Sequence, residues 1–503
     1  MDLPNPLLKS LRTPNHPYLY CGKTNRIFRL SPAMLEILQL YHQHSKEQII
    51  GQLSAIYPLN VVDEGYAIID DLVQAYGLFT PGTLQSRLSP VSQVDSTQML
   101  NQGIQGICLE VTESCNLRCR YCAFSGGYVG NRVHTSRHMS WEVARAAIDF
   151  FHKKSKDKIE ERPGIGFYGG EPLICFDLIK SCVEYTNSRP WAHPEGVHWS
   201  ITTNGTLLSE ESMRFFVDHA FGVTISVDGP AAEHDRNRVY ASGEGTFHRV
   251  IENVQRFYEL APKEYYESHV IANCVFAPDT DLLALDKFFV EHRHLFPHVM
   301  SGSVSKGHKT FFKEHPLDVE RRHQQLDSLF HTYVDAHLQP ELVSPDMPEL
   351  VFIRSLFEKD FLTIRRRHIE GRVPDRVDVS PACFPGKRKP FVDVEGNLHI
   401  CERVDRTYPI GDVRSGFDVE RVTALVNEYA ALMNAEDCLN CWAFRFCDLC
   451  YAPLLKDGGL SSERKRAECA RIRDNAAFKL TTYCHILEQN PKAFGYMDSY
   501  VIK

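Results

Sequence analysis

The sequence lacks three features that would assign it to a broad class at once. No apolar run approaches the length of a membrane span, and the first residues, Met-Asp-Leu-Pro-Asn-Pro, lack the pattern of a signal peptide. Positive charge is not in excess either, because 64 acidic residues against 56 lysines and arginines give a formal net charge of −8. We therefore expect a cytoplasmic protein that binds neither a membrane nor a nucleic acid.

The chain does contain enough apolar sequence for several cores and an unusual number of cysteines. Its 503 residues are 43% hydrophobic and 24% charged, which predicts two to four globular domains. Sixteen cysteines in a cytoplasmic protein indicate metal ligands or catalytic thiols rather than disulfides. They are unevenly distributed, with three at 115–122 and seven between Cys383 and Cys469.

The first cysteine cluster follows the apolar run Ile104–Val111 with the spacing C-x3-C-x2-C. Its members are Cys115, Cys119 and Cys122. Three thiolates can bind three irons of a [4Fe–4S] cluster, and no fourth cysteine follows to bind the last iron. An open iron can bind a ligand and pass it an electron. The alternatives are three buried core cysteines or half of a zinc site.

This spacing, with the aromatic Tyr121 before the third cysteine, resembles the signature of the radical S-adenosylmethionine (SAM) family. The resemblance implies that the methionine end of SAM chelates the open iron. It further implies that the reduced cluster, supplied with electrons by a donor such as flavodoxin or ferredoxin, cleaves SAM to a 5′-deoxyadenosyl radical. Tyr121 would lie beside the adenine, although a lone aromatic residue can also be part of the core.

Residues 96–305 alternate apolar runs with helical stretches, which predicts an α/β fold with a parallel sheet. The expected strands are Ile104–Val111, Gly164–Tyr168, Val197–Thr202, Gly222–Val227, Val270–Phe276 and Val299–Val304. The expected helices lie near 141–154, 176–187, 209–219, 247–260 and 281–293. Six units are too few for a closed eight-stranded barrel, and the family resemblance implies a partial (β/α)6 TIM-like barrel. The three cysteines would then lie at the C-terminal rim.

The second expected strand runs into Gly169-Gly170-Glu171-Pro172. Two glycines permit close approach of the backbone to a ligand, and a carboxylate can pair with a cationic amino group. The tetrapeptide can be an ordinary turn. After a strand and downstream of the cysteines, it resembles the motif that binds the amino group of SAM.

Three further residues follow later strands and complete the expected SAM site. Asn204 ends the third strand, and Ser226 ends the fourth, with Arg238 shortly after it. By resemblance Ser226 would contact the ribose or carboxylate of SAM, and Arg238 would pair with its carboxylate. Asn204 is also a common turn former, as is Asp228.

Residues 1–95 are expected to form a small α+β module followed by a linker. A hairpin at 18–30 precedes three helices, which Ser31-Pro32 and a Ser45/Gln48 capping box introduce. This order resembles the recognition element of enzymes that modify ribosomally made peptides, in which a leader peptide adds a strand to the sheet edge. A winged-helix-like accessory domain is the alternative. The polar stretch 80–103 is interpreted as a linker rather than a packed element.

The second cysteine cluster lies in residues 383–503, after a stretch at 306–382 that is expected to be a helical bridge. Paired C-x2-C units can form a zinc ribbon, but seven cysteines exceed one such site. They resemble the SPASM extension of radical SAM enzymes, which implies two auxiliary [4Fe–4S] clusters. One would be closed by Cys438, Cys441, Cys447 and Cys469. The other would have three ligands, Cys383, Cys401 and Cys450. The final C-x2-C is one residue tighter than the family's C-x3-C, and Cys484 is the only further cysteine nearby.

The order of recognition module, partial barrel and SPASM domain resembles that of a peptide maturase. The predicted reaction is thioether formation, from cysteine sulfur to carbon, in a ribosomally made precursor peptide that binds through its leader. A maturase that forms carbon–carbon links and an anaerobic sulfatase-maturing enzyme that forms formylglycine are alternatives. A zinc-stabilised binding protein without catalysis is the alternative from another class.

Overall fold

The structure is a computed structural model that describes most of the chain. The described residues are 5, 7–79, 85–86, 89–128, 130–305, 310–339, 347–371, 374, 376–377, 382–404, 406–456 and 458–499. Parts of the predicted linker (80–84 and 87–88) and of the predicted bridge (306–309, 340–346, 372–373, 375 and 378–381) lie outside the described residues. Within the described ranges, no helix has the length and apolar character needed to cross a membrane.

The N-terminal module is a three-stranded antiparallel sheet followed by three helices. Its elements are β1 (Leu8–Arg12), β2 (Pro17–Cys21), β3 (Arg26–Arg29), α1 (Pro32–Leu40), α2 (Lys46–Leu53) and α3 (Leu59–Tyr76). The hairpin and the Ser45/Gln48 capping box are as predicted. Strand β1, which pairs with β2, was not predicted. The resemblance to a peptide-recognition element stays a prediction.

The interpretation of 80–103 as an unpacked linker is wrong for its second half. Helix α4 (Gln93–Asn101) begins at Ser92, whose side chain forms a capping box with Asp95. Ser96 and Leu100 are buried, because the helix packs against a helix of the C-terminal domain. Near it, β4 (Gln85–Ser86) pairs in parallel with β11 (Arg376–Val377).

Six parallel strands, the last of which is an edge strand, form one side of a ten-stranded sheet, as predicted for 96–305. They are β5 (Gly106–Thr112), β6 (Gly164–Gly169), β7 (His198–Thr203), β8 (Gly222–Ser226), β9 (Val270–Phe276) and β10 (Val299–Ser303). Each is hydrogen-bonded to the next in chain order. The carboxyl ends of all six therefore meet at one rim.

Helices connect successive strands on the outer face of this sheet. They are α5 (Trp141–Ser155), α6 (Phe176–Asn187), α7 (Glu210–Asp218), α8 (Ala231–Asn237), α9 (Phe247–Leu260), α10 (Lys263–His269) and α11 (Leu282–Glu291). Helices α8 and α10 were not predicted. Side chains on one face of each strand, such as Leu109 and Phe167, pack with the helices in the main core. The other face lines the interior of the partial barrel.

The C-terminal residues extend the same sheet beyond β5. Strand β12 (Phe391–Val392) pairs in parallel with β5, and β13 (Asn397–His399), β14 (Gly411–Asp412) and β15 (Gly416–Phe417) continue it antiparallel. The remaining strands are β16 (Leu455–Lys456) and β17 (Gly459–Leu460). The helices are α12 (Phe311–Glu314), α13 (Val319–Leu338), α14 (Val351–Arg365), α15 (Val419–Met433), α16 (Glu436–Leu439), α17 (Tyr451–Leu454) and α18 (Ser462–Gln489).

The N-terminal module packs directly against the C-terminal residues. The carboxylate of Glu488, on α18, accepts hydrogen bonds from Thr13, Asn15 and Tyr18. The ring of the fully buried Tyr20 contacts Trp442 and Phe446. These contacts fix the position of the module on the rest of the chain.

Candidate iron–sulfur and SAM site

Cys115, Cys119 and Cys122 lie in the loop that follows β5, at the rim predicted for them. The backbone N–H groups of Leu117 and Phe124 donate to the sulfurs of Cys115 and Cys122, each over 3.4 Å. Burial raises the pKa of Cys115 to about 11 and that of Cys119 to about 12. The charge of Cys122 raises both further, so the three thiols share one small region.

The two glycines at the end of β6 lie against the backbone of the cysteine loop. A Cβ atom on Gly169, whose φ is +141°, would lie 2.2 Å from the carbonyl oxygen of Thr112. One on Gly170 would lie 2.0 Å from the carbonyl oxygen of Ser114. At both positions the lack of a Cβ permits a close approach to the backbone of the cysteine loop, and the contact with SAM stays a prediction. The Gly170 N–H donates to the Thr112 carbonyl over 2.8 Å, which ties the two strand ends together.

Glu171 is completely buried and bonded to its own strand end and the next one. Its Oε1 accepts from the N–H of Leu173 and the hydroxyl of Thr203, and its Oε2 accepts from the N–H of Asn204. Burial raises the pKa of Glu171 to about 7, against the effect of these bonds. The carboxylate thus organises the ends of β6 and β7, and Pro172 begins a short 3-10 helix directly after it.

Asn204 reaches the cysteine loop from the end of β7. Its side-chain N–H donates to Asn116 over 2.9 Å and lies 3.9 Å from the sulfur of Cys115. Its carbonyl accepts from the hydroxyl of Thr206, which in turn accepts from Asn116. This closed ring of polar side chains holds Asn204 against Asn116, the residue that follows Cys115.

Tyr121 and Arg238 meet at a carboxylate that the sequence analysis treated only as a turn former. Asp228 is buried, and its Oδ2 accepts from Arg238 Nε over 2.8 Å and from the hydroxyl of Tyr121. The Arg238 guanidinium lies over the Tyr121 ring, 5.5 Å from its centroid. Ser226 is buried two residues before Asp228 at the end of β8. The structure therefore brings all three predicted side chains to the same rim as the cysteines.

His234, which was not predicted as a site residue, is hydrogen-bonded to the backbone of Asp228. The Asp228 N–H donates to His234 Nδ1 over 3.3 Å, and Thr246 donates to the carbonyl of Arg238. His234 Nε2 must therefore carry the proton that it donates to the Thr246 oxygen, 3.0 Å away. Burial lowers the pKa of His234 to about 4, so the imidazole is neutral. The spacing of His234 and Arg238, one helical turn apart, is the only sequence signal that could have indicated this arrangement.

The barrel interior extends from the cysteine loop toward the C-terminal residues. Tyr168 points into it, because Ile165 and Phe167 occupy the helix-facing positions of β6. Burial raises the pKa of Tyr168, and the charges of Glu402 and Cys122 raise it further. Tyr168 is thus within electrostatic reach of both a loop cysteine and a residue beside Cys401.

Four of the C-terminal cysteines, here called the four-thiol group, lie around α18. Its members are Cys438, Cys441, Cys447 and Cys469. Burial raises the pKa of Cys447 to about 11, and the charges of Cys438 and Cys441 raise it further. The charge of Cys469 acts likewise on Cys438 and Cys441. This is the grouping that the sequence analysis predicted for a closed auxiliary cluster.

Three further C-terminal cysteines, here called the three-thiol group, precede β12, follow β13 and precede α17, respectively. They are Cys383, Cys401 and Cys450. Burial raises the pKa of Cys401 to about 11, with Glu402 and Cys450 raising it further. Burial raises the pKa of the Tyr451 hydroxyl, and the charges of Cys383 and Cys450 both contribute to this rise.

Cys484 lies elsewhere and does not complete the three-thiol group. It is buried on α18, where the charges that act on it are those of Arg367 and Glu488. The charge of Cys484 in turn raises the pKa of Tyr18 in the N-terminal module. Its environment is therefore the packing between that module and α18.

The residues present fit iron–sulfur clusters by the chemistry of their donors. Cys115 and Cys122 each accept a backbone N–H from the residue two positions on, and such bonds to sulfur stabilise a cluster's negative charge. Among the described residues, no three His, Cys, Asp or Glu side chains are arranged to hold a single metal ion.

Comparisons with known proteins identify a family match over part of this chain. Residues 109–276 match the model of the radical SAM superfamily. The cysteine-type anaerobic sulfatase-maturating enzyme of Clostridium novyi is 28% identical over 145 residues, 29% of this chain and 37% of that protein. A GTP 3′,8-cyclase of Pectobacterium atrosepticum is 22% identical over 311 residues, 61% of this chain and 82% of that protein. The chain spans only 37–44% of the length of the first curated relatives it matches.

A solved structure of native anSMEcpe with bound AdoMet and Cp18Cys peptide has a similar fold. The two superpose with a TM-score of 0.53 at 19% identity, over 78% of this chain and 99% of that one. Strands β6 to β9, most of β5, the cysteine loop, Glu171 and Asp228 lie within the matched segment. The chain therefore contains a radical SAM domain, and these rim residues lie within it.

Proposed function

We propose that this radical SAM enzyme modifies a peptide, and that it installs thioether cross-links from cysteine sulfur to carbon. The observation that carries the proposal is the three-thiol group. It offers three thiolates to a cluster that needs four ligands, and Cys484 lies elsewhere. A metal site that keeps a position open is usually a working site, whereas structural sites are closed. A cysteine thiolate of the substrate would complete it.

The rim residues hold the cofactors in this proposal. Cys115, Cys119 and Cys122 would hold one [4Fe–4S] cluster, which together with bound SAM supplies a 5′-deoxyadenosyl radical for hydrogen abstraction. Tyr121 would lie beside the adenine. Asp228 binds the Nε of Arg238 and so orients the guanidinium, whose Nη groups would then bind the SAM carboxylate. Ser226 and Asn204 would contribute further polar contacts.

The barrel interior would place the substrate between the two kinds of site. Tyr168 is within reach of both Cys122 and Glu402, and Glu402 adjoins Cys401. A substrate carbon near the cysteine loop and a substrate sulfur at the three-thiol group would therefore occupy one continuous region. Holding both reacting atoms in one geometry lowers the entropic cost of bond formation.

The N-terminal module would bind the leader of a ribosomally made precursor. Leu30 donates its N–H to the carbonyl of Pro17, so these two residues form a hydrogen-bonded pair. In an antiparallel hairpin, hydrogen-bonded and non-hydrogen-bonded pairs alternate along the strands. The N–H groups of Ile27 and Arg29 consequently point away from β2. In the described part of the chain no strand pairs with this edge of β3. An extended peptide can bind there as an added strand.

A peptide substrate and an electron donor complete the proposal. The anSMEcpe structure of similar fold contains a bound peptide, Cp18Cys, which supports a peptide as the substrate class. A one-electron donor such as flavodoxin or ferredoxin would reduce the clusters. Formylglycine formation is the second candidate, because matched relatives from Clostridium and Bacteroides are sulfatase-maturating enzymes.

The mass of the product tests the proposal. The protein is incubated anaerobically with SAM, a reductant and a cysteine-containing precursor, and a Cys→Ser precursor is the matched control. A thioether removes two hydrogens, about 2 Da per link, and leaves sulfur that resists alkylation. A product that keeps alkylatable thiols would favour carbon–carbon linkage, whereas an aldehyde in place of the thiol would favour formylglycine formation.

A further inference from the structure

Helix α18 brings one thiol and two cations to the four-thiol group along a single face. Lys465, Cys469 and Arg473 are spaced at i, i+4 and i+8, so their side chains follow one another along the helix. The Cys469 thiol donates to the carbonyl of Lys465 over 3.3 Å. Lys465 and Arg473 therefore flank a member of the group by one turn on either side.

Each cation acts electrostatically on a different thiol of the group, Lys465 on Cys438 and Arg473 on Cys441. The Lys465 Nζ donates to the carbonyl of Leu432 over 3.0 Å and to Asp437, the residue before Cys438, over 3.1 Å. These two partners hold the ammonium in one position beside the group.

Lys465 and Arg473 differ strongly in burial. Lys465 is 3% exposed, which is rare for a lysine, whereas Arg473 is exposed. The Asp437 carboxylate lies 3.1 Å from the Lys465 Nζ, and this ion pair favours the charged ammonium. Because the field of a buried charge is screened least, Lys465 should act on the group more strongly than Arg473 does.

We propose that Lys465 is a positioning residue that raises the reduction potential of a cluster held by the four-thiol group. The inference rests on the auxiliary clusters of the proposed function. A [4Fe–4S] cluster takes up one electron from a one-electron reductant, and its negative charge grows by one. A fixed cation close to the ligand sulfurs stabilises the reduced form. The three-thiol group has the carboxylate of Glu402 beside Cys401 instead, so the two clusters would differ in potential.

A redox titration tests this inference on the full chain. Cys115, Cys119 and Cys122 are first replaced by Ala, so that only C-terminal clusters contribute to the paramagnetic spectrum. In that background Lys465→Gln, Lys465→Arg and Arg466→Gln are compared. Arg466 is the matched control, because it is the next residue, lines the same cavity of about 440 Å³ and is exposed.

Lys465→Gln should disfavour reduction of one cluster about tenfold, which is about 59 mV for one electron. Lys465→Arg and Arg466→Gln should stay near the starting potential, and the second cluster should not change. Equal shifts in Lys465→Gln and Lys465→Arg, or no shift in either, would overturn the inference. If Lys465→Gln loses a cluster, retention of that cluster by Lys465→Arg supports the role of the charge, and its loss from both variants overturns it. Absence of C-terminal iron before any change at Lys465 would instead refute the auxiliary clusters themselves.

Discussion

The cysteine loop of the barrel and the cysteine groups of the C-terminal domain are held in place by different means. In the barrel, strand ends bring the loop together through backbone contacts at Gly170 and the buried carboxylates of Glu171 and Asp228. In the C-terminal domain, short loops and α18 supply the thiols, and the buried Lys465 lies one helical turn before Cys469. The two regions should therefore be disrupted by different substitutions.

The largest effect is expected from the simultaneous replacement of Cys115, Cys119 and Cys122 by Ala. SAM cleavage should be abolished, because no thiolate would remain at the rim to bind the cluster. Iron should fall from about twelve to about eight per chain, since the C-terminal groups retain theirs. Release of 5′-deoxyadenosine and iron content are measured. Loss of all the iron would show that the two regions do not assemble independently.

A smaller but still severe effect is expected from Gly170→Ala. The new Cβ would lie 2.0 Å from the Ser114 carbonyl, so the cysteine loop must move. We expect a loss of at least about 2 kcal/mol in the free energy of unfolding, together with loss of SAM cleavage. Gly302→Ala on β10 is the matched control, because nothing lies within 4 Å of its Cβ. Similar unfolding midpoints for the two variants would refute the close contact.

Glu171 gives the barrel region its own pH dependence. The folded pKa is about 7, above the unfolded value of 4.5, so the folded protein binds the extra proton between these values. The stability that protonated Glu171 contributes is complete below pH 4.5 and is lost as the pH rises through 7. The free energy of unfolding of wild type, relative to that of Glu171→Gln, should therefore fall by up to about 3 kcal/mol from pH 5 to pH 8.

Denaturant unfolding of both proteins at several pH values measures this change. The comparison isolates Glu171, because every other titrating group is common to the two chains. If the free energy of unfolding of wild type relative to the variant stays constant, or rises with pH, the raised pKa of this carboxyl is contradicted.

The smallest effect is expected at the edge of β3 and should leave both cysteine regions intact. Arg29→Pro removes an outward N–H from an exposed position, so a leader strand loses one backbone hydrogen bond. Affinity for the precursor should fall about tenfold, measured by titration calorimetry, while SAM cleavage is retained. Arg29→Ala is the control for the lost side chain. Equal affinity in both variants would locate leader binding elsewhere.

The sequence predicted those features of the fold that depend on local pattern. Six strands and five helices of the barrel lie within a few residues of their predicted positions, because each apolar run is bounded by turn residues. Helix α4 was missed because its sequence is polar. Only the contact with α15, where Thr423 donates to Ser96, explains why it is packed.

The candidate site was predicted in its residues but not in all their contacts. The cysteine spacing and the Gly-Gly-Glu-Pro motif identify the rim from sequence alone. Asp228, in contrast, binds Tyr121 across 107 positions of the chain, and no local pattern indicates such a contact. The same reason explains why the close contact of Gly169 with Thr112 was not predicted.

The central claim is that the three-thiol group binds a substrate thiolate, and a spectrum tests it most directly. The full chain, with Cys115, Cys119 and Cys122 replaced by Ala, is reconstituted and reduced, and its paramagnetic resonance spectrum is recorded with and without precursor. A cysteine-containing precursor should change the signal of one of the two clusters, and its Cys→Ser counterpart should not. An unchanged spectrum with bound precursor, or an equal change with both peptides, would contradict direct ligation and with it the proposed route to a thioether.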